Sequence, residues 1–459
     1  MKTVKMLPLT MAVVAALCPI SVLAQDFTQE QIDAIVAKAV DKALADRQAK
    51  MDAAAARKVD LETNPQTTAA SPDMAIPFGL KFSGYARYGA QFQSGDQKFV
   101  GVDGSYNGAS AIGRLGNEGN GGEFQITKAF KSSQGAIWDL NVMFDHWSDE
   151  VNLKKAYVGV TNVLESNPNA YIWAGRDFHQ RPQQGINDYF WMNHDGQGAG
   201  VKNFDIGGVQ FDVAGVSQVK SCSPEVMADE TNPSRITCTG SSDTGDNGHY
   251  ALTTKTHNIK AGPIDVEVYA NYGFDSKAVD SDARLEAWQG GLVLSHTNDS
   301  GVNKVILRYS DNSDNSVYNK TDDLTTVYAS FEGSHKFTQQ AQVEYLLAFH
   351  DYDNGRDNTD NRKNYGAIVR PMYFWNDVHS TWLEAGYQRV DYDQGGDNHG
   401  WKLTLSQNIA IGMGPEFRPM LRFYVTGGQV DNKRTAKVNG TDDQQLDSLN
   451  VGGMFEAWF

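Results

Sequence analysis

The feature that most constrains this chain is a strict alternation of apolar and polar side chains. It is clearest in three segments: 80–92, 264–274 and 337–349. In the first of them, Leu80 and Phe82 belong to the apolar series, and Lys81 and Arg87 belong to the polar one. The side chains of a β-strand repeat with a period of two, so each segment predicts a strand with one apolar and one polar face. A tilted strand of about 10 residues is long enough to cross a bilayer.

Two architectures use such strands, the soluble β-sandwich and the membrane β-barrel. A sandwich of this length would normally split into smaller domains, and no linker interrupts the chain between Phe78 and Phe459. Polar, turn-rich stretches such as 311–315 and 353–357 separate the strands instead. At about 20 residues for a strand and its share of the connections, roughly 16 to 20 strands are expected. We therefore predict an all-β fold, a transmembrane antiparallel β-barrel over residues 78–459.

The composition agrees with this prediction. The chain has 44 Gly, only 13 Pro and 11% aromatic residues, a balance that suits strands joined by tight turns and flanked by aromatic belts. A soluble all-β protein could share that balance. The formal net charge of −16 argues against a nucleic-acid partner, because the chain offers no basic surface to phosphate.

The N-terminal part differs from the rest of the chain. Residues 1–24 have a basic start, an apolar run and the small-residue ending Val22-Leu23-Ala24, which predicts a signal peptide cleaved before Gln25; a retained anchor is the alternative. In residues 25–61 apolar side chains recur near helical spacing, which predicts a short periplasmic helix. This helix either self-associates as a coiled coil or frays in solvent. The composition of residues 62–77 predicts a linker.

Cleavage would remove Cys18 and leave Cys222 and Cys238 in the mature chain. In an oxidising compartment this pair can close one disulfide, and two unpaired thiols are the alternative.

Several segments, in order along the barrel region, resemble the maltoporin family of carbohydrate porins. They are Phe82-Ser83-Gly84-Tyr85-Ala86-Arg87, Arg114-Leu115-Gly116-Asn117-Glu118, Ile172-Trp173-Ala174-Gly175-Arg176, Phe178-His179-Gln180-Arg181, Asn187-Asp188-Tyr189-Phe190-Trp191, Gly198-Ala199-Gly200, Arg370-Pro371-Met372-Tyr373 and Glu456-Ala457-Trp458. Each match alone is weak, but the collinear series is specific. The N-terminal extension is similar in kind to that of the sucrose porin, a relative.

The resemblance implies an outer-membrane barrel of about 18 strands, a homotrimer, and facilitated diffusion of sugars without catalysis. Its other partner would be outer-membrane lipid, including lipopolysaccharide. Family members line the channel with aromatic rings flanked by ionisable side chains. This has a physical basis, because a pyranose ring has an apolar face that stacks on an aromatic ring and hydroxyls that bond to charged groups. Each contact has to be weak enough to release the sugar.

By the same resemblance, three aromatic side chains match rungs of this ladder: Tyr85, Trp147 and Trp458. Tyr85 shares the polar, lumen-facing parity with Arg87. Trp147 matches a loop tryptophan that reaches into the mouth of a neighbouring subunit. The alternatives are an interfacial aromatic belt for Tyr85 and Trp458, and simple trimer packing for Trp147.

The polar track and constriction implied by the resemblance contain eight residues: Arg87, Arg114, Glu123, Lys154, Arg181, Asp188, Phe190 and Asn193. Lys154 is one of the pair Lys154 and Lys155, either of which can stand where the family uses arginine. For the charged residues, the alternative is an ordinary solvated barrel wall.

The chain also departs from the family pattern. Further aromatic rungs are replaced by Gly121 or Gly122, by Val302 and by Glu416, and Gln183 replaces a usual acid. The predicted ladder is therefore shorter, which favours a different or smaller sugar than maltodextrin.

Three other functions are alternatives: a general diffusion porin, a barrel enzyme and a soluble lectin. The sequence shows no nucleophile elbow, zinc-type His pair or phosphate loop to support the enzyme. No cofactor is expected. The acids Asp351, Asp353, Asp357 and Asp360 could hold Ca²⁺, although a solvated acidic loop is the preferred interpretation.

Overall fold

A computed structural model of the chain describes residues 80–147, 150–219, 246–277, 279, 283–440 and 445–459. The predicted signal peptide, helical extension and linker lie outside the described residues, as do Cys222 and Cys238. Among the described residues, no helix is both long enough and apolar enough to cross a membrane.

Eighteen long strands form one sheet in the described part of the chain. They are β1 Leu80–Gln93, β2 Gly121–Lys131, β3 Ile137–Asp145, β4 Asn152–Thr161, β5 Tyr171–Asp177, β6 Gly196–Ile206, β7 Val209–Val219, β8 Asp246–Ala261, β9 Ile264–Asp275, β10 Ala287–Asn298, β11 Gly301–Ser313, β12 Lys320–Lys336, β13 Ala341–Asn354, β14 Arg362–Phe374, β15 His379–Tyr392, β16 Asp397–Ala410, β17 Met420–Asp431 and β18 Gln445–Trp458. A short helix, α1 Lys433–Asn439, lies in the connection between β17 and β18.

Each strand pairs antiparallel with the next one along the chain, and β18 pairs back onto β1. In that closing pair Tyr85 lies opposite Trp458 and Gln93 lies opposite Asn450. The sheet is therefore closed, without a free edge that would leave backbone groups unpaired in lipid. The predicted antiparallel barrel is confirmed, with 18 strands.

Burial along the strands follows the sequence alternation. On β17, Leu421, Phe423 and Val425 are exposed, while Met420 and Arg422 are buried. Exposed apolar side chains at every second position form a surface that suits hydrocarbon, so this face points outward and the other face lines the interior.

Successive connections alternate between the two ends of the barrel, and the longest ones lie at the same end. Two of the longer connections, loop A at 94–120 and loop B at 178–195, fold into the barrel. Loop A packs Val102 and Ile112 against Val390 and Val430 of the inner wall. Loop B contains a two-residue ladder between Gln183–Gln184 and Tyr189–Phe190, and its apolar side chains join a cluster with residues of β9 to β14.

Some predicted strand ends were wrong. The segment predicted from residue 337 begins as a strand only at Ala341, because Phe337 and Thr338 donate backbone hydrogen bonds to the Ala341 carbonyl in a tight turn. In the other direction, β11 continues to Ser313 and β13 to Asn354, into stretches predicted as turns.

Candidate functional site

The three predicted aromatic rungs lie next to one another inside the barrel. The ring centroids of Tyr85 and Trp458 are 6.3 Å apart with nearly parallel planes, and those of Tyr85 and Trp147 are 6.1 Å apart. Within this chain, Trp147 contacts Tyr85. The rings form a continuous row in the order Trp147, Tyr85, Trp458.

One end of this row is covered by an arginine that sequence reasoning missed. The guanidinium carbon of Arg418 lies 4.2 Å from the ring centroid of Trp458, and Trp458 is only 6% exposed. A cation over an aromatic face is an attractive contact. Arg418 lies in the turn between β16 and β17, where no alternation marks it as facing the interior.

A charged group holds Tyr85 in place. The Tyr85 hydroxyl donates to Oε1 of Glu456 at 2.9 Å, and the same oxygen accepts from Arg114 at 2.6 Å. The other oxygen of Glu456 accepts from Arg418 at 2.6 Å and from Arg422 at 3.1 Å. Glu456, Arg418 and Arg422 were not among the predicted site residues, although Glu456 shares the inward parity of Trp458 in the sequence.

Loop B meets β1 and loop A through Asp188. One oxygen of Asp188 lies 2.7 Å from Arg87, and the other lies 3.1 Å from Arg114. Burial alone would raise the pKa of Asp188, but the two guanidinium groups outweigh it and hold the pKa below the ordinary value of a carboxylic acid. Asp188 is therefore a fixed negative charge between two fixed positive charges.

The guanidinium group of Arg181 is stacked between two aromatic rings of loop B. Its central carbon lies 3.9 Å from the ring centroid of Phe178 and 4.1 Å from that of Phe190. The nitrogens of Arg181 reach Asp195 at 3.1 Å and Glu123 at 3.5 Å. A guanidinium clamped in this way is held at one position rather than swinging through solvent.

These charged groups still touch solvent. The side chains of Arg87, Asp188, Arg181 and Glu123 are between 12% and 19% exposed, whereas the charged pair of Lys402 and Glu384 is fully buried beneath loop A. The first set therefore borders the solvent-accessible part of the interior.

The side chain of Asn193 forms a hydrogen bond with the backbone of the nearby Asp195. Its side-chain oxygen accepts from the Asp195 backbone N–H at 3.0 Å, and its own backbone N–H donates to the Asn315 carbonyl at 2.9 Å. Burial raises the pKa of Asp195 to about 6 despite the attraction of Arg181. Asp195 was missed from the sequence, where nothing distinguishes it from other loop acids.

Both lysines of the pair at 154 and 155 approach inward-facing carboxylates. Lys154 lies 3.1 Å from Asp145 and Lys155 lies 3.3 Å from Asp177. A register shift between β3 and β4 places the two lysines opposite one residue, and such a bulge allows neighbouring side chains to share a face. The sequence could not choose between the two lysines, and the structure places both of them at the interior.

The four acids considered for Ca²⁺ do not converge. Asp353 accepts from Asn361, Asp357 caps Thr359, Asp360 pairs with Arg362 and Asp351 faces Lys363. Within the described ranges, no group of three or more His, Cys, Asp or Glu side chains is placed to hold a metal ion.

Comparison with known proteins matches the chain to the LamB porin family over residues 80–459. The fold is also similar to solved outer-membrane proteins. The outer membrane channel DcaP of Acinetobacter baumannii is 12% identical, with 83% of this chain and 97% of that chain covered and a TM-score of 0.46. OccD3 (OpdP) of Pseudomonas aeruginosa is 11% identical, with 87% and 97% covered and a TM-score of 0.46. OccK10 (OpdN) of the same organism is 12% identical, with 83% and 99% covered and a TM-score of 0.45.

The family match spans every strand of the barrel, and the interior carries the rings and charges described above. This chain belongs to the LamB porin family, and it is an outer-membrane channel.

Proposed function

We propose that this porin is selective for sugars and lets them diffuse along a row of aromatic rings beside a polar track. The rings are Trp147, Tyr85 and Trp458. The track and its constriction comprise Arg87, Arg114, Glu123, Lys154, Arg181, Asp188, Phe190 and Asn193. Transport needs no energy source, because the sugar moves down its own gradient.

The observation that carries the proposal is the continuity of the row. Neighbouring rings are 6.1 Å and 6.3 Å apart, and the guanidinium of Arg87 lies 5.9 Å from the Tyr85 ring centroid. A sugar sliding along the rings would keep its apolar face on an aromatic surface while its hydroxyls exchange partners on the charged groups. Contacts of this kind are individually weak, so the sugar is bound and also released.

The length of the row favours a small sugar. Three rings contact only a few sugar units at one time, and the positions of Val302 and Glu416 carry no ring. We therefore propose a di- or trisaccharide as the preferred substrate rather than a long polymer.

A general diffusion porin with little selectivity is the second candidate, and one observation favours it. Arg418 covers the face of Trp458, which leaves that ring 6% exposed. A sugar has to displace Arg418 before it stacks on this rung, which weakens its binding.

We also propose that the protein acts as a homotrimer in contact with outer-membrane lipid and lipopolysaccharide. Its N-terminal extension would then lie in the periplasm and assist trimerisation. Support for the trimer comes from the family resemblance, and support for the extension comes from its helical spacing in the sequence.

Single-channel conductance in planar bilayers, titrated with a panel of di- and trisaccharides, tests the proposed selectivity. We expect at least one sugar to block the current in a saturable, concentration-dependent way. A linear polyethylene glycol of similar size is the control and should show no saturation. If every sugar lowers the current only as the glycol does, the general diffusion porin is the correct assignment.

A further inference from the structure

The outer wall of the barrel contains a groove where three neighbouring strands, β8 to β10, present small side chains at one level. The register places Thr254 opposite Ala270 and Ala270 opposite Gly290. Thr254 and Gly290 share the outward parity of Leu252 and Trp288, whose side chains are exposed. The floor of the groove therefore faces lipid and not the lumen.

Large side chains surround this floor. On the side of the long connections, the next outward residues are Leu252, Tyr272 and Trp288, and the ring centroids of Tyr272 and Trp288 are 4.3 Å apart. Tyr309 of β11 lies opposite Gly290 and borders the groove on the other side. The groove has a volume of about 370 Å³.

The lining of the groove is almost entirely apolar. The Thr254 hydroxyl donates to the Ala270 carbonyl at 2.7 Å, so it has a partner within the wall. Asn271 and Gln289 are buried and hydrogen-bond to each other at 3.0 Å on the inward face, so only their main chain borders the groove. An ordered water needs several polar partners, and this lining suits hydrocarbon instead.

A band of aromatic rings lies between the groove and the long connections. The ring centroids of Tyr250 and Phe274 are 5.6 Å apart, and those of Tyr272 and Phe274 are 5.7 Å apart. Aromatic girdles lie at the membrane–water interfaces of outer-membrane barrels, and the longer connections are the extracellular ones. The groove is therefore just inside the hydrocarbon of the outer leaflet, the leaflet that lipopolysaccharide forms.

An acyl chain fits this place better than a second copy of the protein does. An empty groove would forfeit the van der Waals contacts that an occupant makes with its floor and sides. An acyl chain is narrow, apolar and flexible, so it can reach the floor between the exposed rings of Trp288 and Tyr309. A stable contact between two barrels needs more than about 1,000 Å² of buried surface, and the same two rings would hold a second wall away from the floor.

We propose that this groove is a binding site for one acyl chain of lipopolysaccharide, and that the missing side chain of Gly290 keeps it open. A Cβ at Gly290 would meet only the Tyr269 carbonyl oxygen, at 4.0 Å, so a larger residue fits there and would fill the groove. The inference rests on the proposed contact with outer-membrane lipid and adds the place where that lipid binds. It is independent of the proposed sugar selectivity.

The test uses vesicles of phosphatidylcholine with brominated acyl chains, to which lipopolysaccharide is added in increasing fractions. Bromine quenches tryptophan fluorescence on contact, and the signal of Trp288 is the difference between each channel and the same channel carrying Trp288→Phe. The chains of lipopolysaccharide carry no bromine and restore the signal when they replace brominated chains. We expect half of the restoration at a lipopolysaccharide fraction about threefold lower than simple dilution of the brominated chains would require.

Gly290→Leu places a side chain in the groove, and restoration should then follow dilution. Gly427→Leu on β17 is the matched control. Gly427 shares the outward parity of the exposed Val425, and a Cβ there would meet only the Ser448 carbonyl oxygen, at 4.0 Å. Its restoration curve should equal that of the wild type. Single-channel conductance should be the same in all three channels, because neither substitution faces the lumen.

Restoration that follows dilution in the wild type would overturn the site and leave general contact with lipopolysaccharide standing, whether or not the variants fold. Restoration that lags behind dilution would assign the groove to a phospholipid chain, and a Trp288 signal that brominated lipid does not quench would assign it to a second copy. Wild-type restoration in Gly290→Leu, or an equal loss in Gly427→Leu, would also contradict the proposal. Absence of restoration at every fraction would remove the proposed contact with lipopolysaccharide together with this site.

Discussion

Glu456 connects the aromatic row to the charged track at the scale of single residues. Its carboxylate accepts from Arg114, Arg418 and Arg422 and from the Tyr85 hydroxyl. Three guanidinium groups around one buried carboxylate hold it in one position, and removing the carboxylate would leave buried positive charges without a partner. The orientation of the Tyr85 ring is therefore set before any sugar arrives, and binding does not have to order it.

Asp195 gives the lumen a charge that changes near neutral pH. Burial raises its pKa to about 6, so the carboxyl group is ionised at pH 7.5 and neutral at pH 5. Protonation removes one negative charge beside Arg181 and Lys155. We predict that the channel becomes more selective for anions as the pH falls, with a midpoint near pH 6. The reversal potential in a KCl gradient measures this change.

The control for this prediction is Asp195→Asn, which should lack the transition because the amide does not titrate. Other charged groups near Asp195, including Asp177 and Arg176, remain in that variant. A transition of the same size in Asp195→Asn would assign it to another group and contradict the role given to Asp195.

At the scale of elements, Arg308 of β11 connects loop B to the barrel wall by hydrogen bonds. Arg308 of β11 donates to the Tyr189 hydroxyl at 3.1 Å and to the Trp191 carbonyl at 2.5 Å, and it pairs with Asp314. Hydrogen bonds from a charged donor are worth about 1.5–3 kcal/mol each. Arg308 therefore fixes the loop that carries Asp188 and Phe190 to the constriction.

We predict that Arg308→Ala loosens loop B without opening the barrel. The expected result is a noisier open-channel current, while the temperature at which the folded barrel unfolds changes little, because the strand ladder does not include these bonds. Lys304→Ala is the control on the same strand and face, since the side chain of Lys304 is 41% exposed and lies 3.9 Å from Glu332. Equal noise in the two variants would contradict the anchoring role.

The sequence pattern predicts some features of the strands and loops and misses others. Alternation predicts a strand wherever one face meets lipid, and the three segments that it marked lie largely in strands, although some of their ends were wrong. It could not place the bulge at Lys154 and Lys155, which depends on the register with β3. It also could not show that Trp147 lies against Gly121, because the close approach of a loop to a strand leaves no periodic signal.

At the scale of the whole molecule, the outer face was predictable and much of the interior was not. The outer face repeats along every strand because the lipid is the same everywhere. The interior is built from contacts between distant parts of the chain, such as Arg114 with Glu456, which are 342 positions apart. Arg418 reaches the same carboxylate from a turn, so only the closed barrel reveals it. Family resemblance supplied Tyr85, Trp458 and Asp188, which no composition or spacing would have singled out.

The central claim is that sugar moves along the rings of Tyr85 and Trp458, and the sugar block constant of ring-deleted channels tests it most directly. Tyr85→Ala and Trp458→Ala should each weaken block about three- to tenfold. Trp138→Ala, which removes an exposed ring from the outer face of β3, should leave it unchanged. Block of wild-type strength in both Tyr85→Ala and Trp458→Ala would contradict the account.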